Sequence, residues 1–333
     1  MKLFKTKILG TGSFLPDKIV TNDDLSKRIE TSHQWIVERT GIHQRRVSDL
    51  SKDETPSGMA RRAAEKALEA ANLTPNDIDM ILFSTTLPDH SMPNTASILQ
   101  EKLGISNLCP ALDVNAACSG WIYLVPMADA LIKTGLYKHI LVVGSEMLSA
   151  FNNWDDRNTC ILFGDGCGVA ILGRASETED SEIYSSVLTS DSTKKDHLTL
   201  LAGGAAKRIT HEVLEKNEQW MTMNGQEIFK AAVKTMAAHA EKVAKDAGFT
   251  MTDIDWFIPH QANLRIIEAV GNRFNIPPEK VIINVDKYAN TSSASVPIAL
   301  DEAIRSGKIK RGDNILLAAF GAGLTAGAVC LKY

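Results

Sequence analysis

EKALEAANLTPNDIDMILFSTT (residues 65–86) and EKVAKDAGFTMTDIDWFIPHQA (residues 241–262) lie on one another without a gap, at an offset of 176 residues (241 − 65 = 176). In each copy a run with helical spacing reaches an Asn or Gly stop, and a short polar turn then leads into an apolar run, MILFSTT or WFIPHQA. Each copy therefore reads as helix, turn, buried strand. A second pair lies downstream, where ADALIKTGLYKHILVVG (128–144) resembles LDEAIRSGKIKRGDNILLAAFG (300–321), with an offset of 172 at the helix-stopping glycines (307 − 135 = 172). Carried back along the same helix without a gap, this offset sets Cys118 opposite Asn290 (290 − 118 = 172).

Short apolar strands alternating with helices of ten or more residues predict an α/β protein with largely parallel sheet and covering helices. The repeat predicts two such halves, 1–175 and 176–333, the first ending near the strand CGVAILG. No Pro/Ser-rich linker separates them, so they are expected to pack as one body. A site is expected at their junction, since ligands of open α/β sheets bind beyond the carboxyl ends of strands. SETEDSE (176–182) reads as a solvated acidic turn without a role.

Composition narrows the function classes. The chain has 333 residues, and 44% hydrophobic content is ample for a core. Lys and Arg total 36 against 40 Asp and Glu, and a formal charge of -4 offers no global attraction for nucleic acid or an anionic membrane. The apolar stretch within Met1 to Pro16 is interrupted by Gly10 and Gly12 and is too short for a signal core or a membrane span, so a cytoplasmic protein is expected. Cys109, Cys118, Cys160, Cys167 and Cys330 are odd in number and form no C-x-x-C pair, which argues for free thiols rather than disulfides or zinc. FGDGCG (163–168) lacks the spacing of a nucleotide loop, and no His/Asp pattern suggests a metal.

Three residues fall at strand ends. In LDVNAACSGWIYLVPMADALI (112–132), Cys118 lies at a strand-to-helix corner, where free backbone N–H groups and the helix dipole are expected to lower its pKa. Ala116, Ala117, Ser119 and Gly120 leave space for another molecule to approach the sulfur. His260 follows the strand WFIP directly, and Asn290 lies at the turn that opens the helix in YANTSSASVPIALDEAI (288–304). Singly, each has an ordinary reading: a packed thiol, a structural imidazole, an N-cap. Together they make a thiol that accepts an acyl group and two N–H donors for an oxyanion elsewhere in the substrate. FGAG (320–323) supplies a Gly-rich turn whose N–H groups can join that of Cys118 in an oxyanion hole, although alone it reads as a tight turn.

TNDDLSKRIETSHQWIVERTGI, DVNAACSG, NWDDRNTCILFGDG, NGQEIFKAAV, IPHQANLRI, YANTSSASVPIALDEAI and FGAGLT together resemble β-ketoacyl-[acyl-carrier-protein] synthase III, of the thiolase-like condensing enzymes, over essentially the whole chain. The resemblance implies a duplicated thiolase-like α-β-α-β-α fold in five layers, usually a homodimer. It implies decarboxylative condensation of an acyl-CoA starter, acetyl-CoA or another short acyl-CoA, with malonyl-acyl carrier protein, and no cofactor beyond the CoA thioester substrate. By the same resemblance Cys118 is the acylated cysteine, and His260 and Asn290 promote decarboxylation. The Cys118 and Ala322 N–H groups form the oxyanion hole. Trp35 and Arg157 sandwich the adenine of CoA with Arg39 and Thr40 nearby, while Phe229 and Asn263 line the pantetheine tunnel. Arg265 belongs to the carrier-docking surface, and Met92 reaches the acyl pocket across the dimer. Met92, Ser119, Trp121 and Ala322 replace a common Phe, Ala, Phe and Gly, which leaves the starter group open.

Cys, His and Asn in this chain order also describe papain-like proteases, whose local cysteine signature is absent. An acyl-thioester hydrolase using the same cysteine, a non-catalytic acyl-CoA-binding module, and a related synthase that primes a secondary metabolite stay open at the level of sequence.

Overall fold

The computed structural model describes residues 3–333. Five strands form the first sheet: β1 (Thr6–Phe14), β2 (Met80–Ser84), β3 (Ala111–Val114), β4 (His139–Met147) and β5 (Asp165–Arg174), in the order β1-β5-β4-β2-β3. The pairs β4–β2 and β2–β3 are parallel, and β1–β5 and β5–β4 antiparallel. The second sheet contains β6 (Glu182–Ser190), β7 (Trp256–Pro259), β8 (Asn314–Gly321) and β9 (Thr325–Lys332), in the order β6-β9-β8-β7. Here β7–β8 is parallel and the other pairs are antiparallel, and the place of a fifth strand holds a single parallel bridge, Phe257 to Val281. The same order thus occurs twice.

Seven helices position these sheets: α1 (His33–Thr40), α2 (Pro56–Ala71), α3 (Thr95–Lys102), α4 (Gly120–Lys133), α5 (Gly225–Asp246), α6 (Leu264–Arg273) and α7 (Ser295–Arg305). Helix α2 starts cleanly because Thr55 accepts from Gly58 N–H and Pro56 occupies the first turn. Four of its buried residues are alanines (Ala60, Ala63, Ala64, Ala67), so it lies close on β1; a Cβ on Gly12 would come within 2.0 Å of Ala63 O. With α3 it covers the outer face of the first sheet through Met59, Leu68, Phe83 and Leu99. Helices α5 and α6 cover the outer face of the second sheet through Met236, Val243, Phe257 and Ile267. Between the sheets lie α4 and α7, where Trp121, Leu124, Val125, Val296 and Leu300 pack against strands of both. The result is the five-layer thiolase-like arrangement.

The two repeat turns agree in detail. Thr74 N–H donates to Asp77 (2.7 Å) and Thr250 N–H to Asp253 (2.8 Å), the same capping box 176 residues apart (250 − 74 = 176). The offset of 172 needs correction at the start of the central helices. Ala117–Ser119 and Ser292–Ala294 are matching 3-10 turns, Ala117 (φ 48°) matches Ser292 (φ 53°), and both imply 175 (292 − 117 = 175). Asn115 and Asn290 are then equivalent, each accepting at Oδ1 from the N–H two residues on (3.1 and 2.8 Å), and Ser293, not Asn290, stands opposite Cys118. The offset returns to 172 at the helix ends because α4 has 14 residues and α7 has 11.

The acidic stretch 176–182 also differs from expectation. Glu179 pairs with Lys7, Asp180 with Lys332, and Glu182 with Lys5 (3.1 Å), so the connection is clipped to β1 and β9. Among the described residues no helix is long and apolar enough to cross a membrane.

Candidate active site

The corner holding Cys118 is set by its neighbours. Ala117 is a non-glycine residue in the left-handed region, held there by the Asn115 turn, and Gly120 opens α4 immediately afterwards. Across this corner lies the end of β8: a Cβ on Gly321 would sit 2.7 Å from Cys118 N and 3.0 Å from Ser119 N. Only a hydrogen fits at that position. Ser119 Oγ contacts Thr325 Oγ1 (2.8 Å), and Thr325 Oγ1 donates to Ala116 O (2.8 Å) or Ala322 O (3.0 Å), which braces the corner against the turn containing Ala322.

His260 follows β7, its N–H donating to Ala318 O at 2.8 Å, and it is 4% exposed. Its Nδ1 lies 2.6 Å from Ser295 Oγ, which also accepts weakly from Gln261 N–H at 3.4 Å. The Ser295 hydroxyl hydrogen has no other acceptor among the described residues, so it donates to Nδ1 and leaves the imidazole hydrogen on Nε2. Asn290 is fixed by main-chain bonds to Leu162 O (2.9 Å) and from Gly164 N–H (3.0 Å). With Oδ1 occupied by Ser292 N–H, Nδ2 is left as a donor. Gln261 ties the two segments together: its amide donates to Pro259 O and Ile282 O and accepts from Asn284 and Val285 N–H. Sequence reasoning passed over Gln261 although it sits inside the quoted IPHQANLRI.

The electrostatics overturn one expectation. Cys118 retains some exposed surface, but its sulfur lies at an enclosed cavity, and burial pushes the thiol up to about 12; a hydrogen bond with Ser292 offsets part of this and the Glu146 carboxylate adds to it. The helix terminus therefore does not leave a resting thiolate. Burial pushes His260 down to about 4, so the imidazole is neutral at neutral pH. The remaining cysteines are buried and free, with Cys160 raised to about 11 and Cys330 to about 12 by burial.

Two spaces lie in this part of the chain, one at the thiol and one lined by neighbouring residues of α5 and α6. A cavity of about 40 Å³ is lined by Cys118, His260, Leu198, Met236, Ile266 and Phe320. A wider groove of about 1020 Å³ is lined by Phe229, Asn263 and Arg265 with Asn224, Gln226 and Lys230. Asn263 accepts from Arg265 N–H and donates to Arg39 O (3.0 Å), joining α6 to α1. On α1, Trp35 carries the Arg39 guanidinium at 4.1 Å and that of Arg157 at 4.7 Å from the ring. A base inserted between Trp35 and Arg157 requires Arg157 to swing outward. Thr40 is not at this surface: it is buried, and its hydroxyl donates to Ile36 O while accepting from Ile42 N–H, so it shapes the end of α1. Met92 is 84% exposed and does not line the cavity at the thiol. No group of three or more His, Cys, Asp or Glu is placed to hold a metal among the described residues.

The family described as 3-oxoacyl-[acyl-carrier-protein (ACP)] synthase III matches residues 112–192, and the corresponding C-terminal family matches residues 244–333. A β-ketoacyl-[acyl-carrier-protein] synthase III of Caldanaerobacter subterraneus subsp. tengcongensis is 50% identical over 326 residues, covering 98% of this chain and 97% of that one. The corresponding protein of Xanthomonas axonopodis pv. citri is 45% identical over 332 residues, covering 100% and 99%. The crystal structure of 3-oxoacyl-[acyl-carrier-protein] synthase III from Aquifex aeolicus superposes with a TM-score of 0.90 at 43% identity, covering 98% of this chain and 100% of that chain. Matches to both halves and likeness over the full length agree with the duplicated fold and its paired corners: the chain belongs to the 3-oxoacyl-[acyl-carrier-protein] synthase III family.

Proposed function

We propose that the protein condenses an acyl-CoA starter with malonyl-acyl carrier protein, releasing CoA and carbon dioxide, and so initiates fatty acid synthesis in the cytoplasm as a homodimer. The observation that carries this reading is the pair of oriented donors, His260 Nε2–H and Asn290 Nδ2–H, set in segments that meet at one buried thiol. Cys118 sulfur attacks the thioester carbonyl, the bond to the CoA sulfur breaks, and CoA departs as a thiol. The oxyanion formed on the way is met by the N–H groups of Cys118 and Ala322. On the malonyl thioester, the electrons of the carbon–carboxylate bond pass into an enolate whose oxygen accepts from His260 and Asn290. The enolate carbon then attacks the acyl-Cys118 carbonyl, and collapse expels the Cys118 sulfur.

The small apolar cavity at the thiol supports a short starter, acetyl-CoA or a close analogue. Trp35, Arg39 and Arg157 hold the nucleotide end of CoA, Phe229 and Asn263 its pantetheine arm, and Met92 closes the acyl pocket of the partner protomer. The test incubates the protein with a panel of acyl-CoAs, reads the acyl mass on Cys118, and then adds malonyl-carrier protein. Carbon–carbon product with carbon dioxide release supports the reading; free acid alone means a thioester hydrolase.

A further inference from the structure

Asn290 sits in backbone that its neighbours do not favour on their own. Ala289 before it has φ 59° and ψ -158°, a region otherwise left to glycine, and Ser292 after it has φ 53°. Both carry side chains, so the corner has to be held from outside. On one side Asn290 is pinned by its main-chain bonds with Leu162 and Gly164. On the other side the ties converge on one carboxylate. Glu146, on β4, is fully buried; its Oε1 accepts from Ser292 Oγ (3.1 Å) and Ser293 Oγ (2.6 Å), and its Oε2 from Thr86 N–H (3.0 Å) and Thr86 Oγ1 (2.7 Å). The Ser292 N–H donates in turn to Asn290 Oδ1 (2.8 Å), the bond that leaves Nδ2 as the donor. Burial raises the proton affinity of Glu146, and its four donors offset part of this. The tie persists in either protonation state, because a serine hydroxyl can turn from donor to acceptor.

The duplication supplies an independent argument. Pairing of Met80 with Ile140 and of Trp256 with Ile315 lays β4 on β8 at an offset of 175 (315 − 140 = 175), so Glu146 corresponds to Gly321 (321 − 146 = 175). Each strand end lies against the corner of the opposite half, Gly321 against Cys118 and Glu146 against Ser292 and Ser293. One strand end gives way to the nucleophile; the other grips the turn that presents the amide. We propose that Glu146 is a positioning residue for decarboxylation, which through Ser292 and Ser293 holds the Asn290 corner in its strained shape and so aims Asn290 Nδ2 at the enolate oxygen. The inference rests on the decarboxylation role given to Asn290 above. Glu146 lies behind the two serines and acts through Asn290, so acyl transfer to Cys118 does not depend on it.

The test uses the full chain and the variants Glu146→Gln, Glu146→Met, Ser293→Ala and Asn290→Ala, with the first three also combined with Asn290→Ala. Acyl-enzyme formation from acetyl-CoA and carbon dioxide release from malonyl-carrier protein are measured on each. Glu146→Met is expected to release carbon dioxide about 10²-fold more slowly, the cost of a misplacement of about 1 Å at the reacting atoms, with acyl transfer little changed. Ser293→Ala should fall in the same direction by less. Glu146→Gln should keep most of the parental rate, because its amide oxygen can take the Thr86 N–H while its NH₂ faces the serine oxygens. On the Asn290→Ala background none of the three should slow carbon dioxide release further. A carboxylate that merely stabilises the fold would slow both half-reactions, and its effect would add to that of Asn290→Ala; either result overturns the proposal, and Ser293→Ala decides it if Glu146→Met does not fold. Hydrogen–deuterium exchange is read on residues 288–295 and 112–120 of the same proteins, where Glu146→Met and Ser293→Ala should speed the first segment alone. Absence of both half-reactions in the parent would overturn the functional reading instead, and parental exchange over 288–295 in these variants would still show that Glu146 does not hold the corner.

Discussion

At neutral pH His260 is an uncharged hydrogen-bond donor, and this has two consequences of known sign. Its pKa lies near 4 in the fold against 6.5 for a free imidazole, so carbon dioxide release should keep its plateau as pH falls through 6.5. An acidic limb centred near 6.5 in a pH–rate profile would mean that the imidazole is solvated. Between 6.5 and about 4 the unfolded chain binds a proton here that the folded chain does not, so His260 lowers stability as pH falls through that window, readable by denaturant titration. Asn290→Ala removes the second donor and leaves the acyl-accepting corner intact. It should still take an acyl group from acyl-CoA but release carbon dioxide about 10²–10³-fold more slowly, measured by acyl-enzyme mass and gas release on the same sample. Cys118→Ala should do the reverse. Of the candidate site residues, His260 was singled out because it ends an apolar run, and Cys118 and Asn290 because each lies at a turn that opens a helix. The buried Glu146 was not singled out, since VVGSEML reads as an uninterrupted buried strand, and the hydroxyls that donate to its carboxylate come from residues 60 and 146–147 positions away. The expected low thiol pKa failed because the helix-terminus argument weighs the dipole and omits the loss of water around sulfur.

The end of β8 and the start of α4 approach so closely that one methyl group separates function from its loss. Gly321→Ala places a Cβ 2.7 Å from Cys118 N, where it displaces that N–H from the forming oxyanion. Acylation and condensation should both fall by about 10²–10³-fold, as for loss of an oxyanion donor, and the thermal midpoint should fall as well, because backbone must shift to admit the methyl group. The alternation of strands and helices and the repeat turns were readable from periodicity and turn residues; the sheet order was not, and the sheets expected to be largely parallel are mixed, with β1–β5, β5–β4, β8–β9 and β9–β6 antiparallel. The register of the central helices was not readable either. Helix α7 is three residues shorter than α4, close to one helical turn, so its apolar face still points inward and a gap-free alignment shows no break. Backbone shape reveals the difference through the paired left-handed residues Ala117 and Ser292.

Across the whole molecule the formal charge is -4, so an acidic carrier must find a local patch, and Arg265 stands exposed on the groove lined by Phe229 and Asn263. Arg265→Glu should weaken use of malonyl-carrier protein severely while acylation by acyl-CoA changes little; equal losses in both would make Arg265 structural. Added salt should weaken the carrier step as well, since exposed charges are screened within about 8 Å at physiological ionic strength. The two matching corners carry a broader consequence. Ser293 lies 3.7 Å from a Cβ built on Gly120, and its carbonyl oxygen 2.6 Å from one built on Gly144, so the copies meet face to face. Were these halves separate identical subunits, symmetry would put the same side chain at both corners, two sulfurs or two serines. Fusing them in one polypeptide breaks that equality, and one ancestral shape can then present sulfur from one side and an amide from the other.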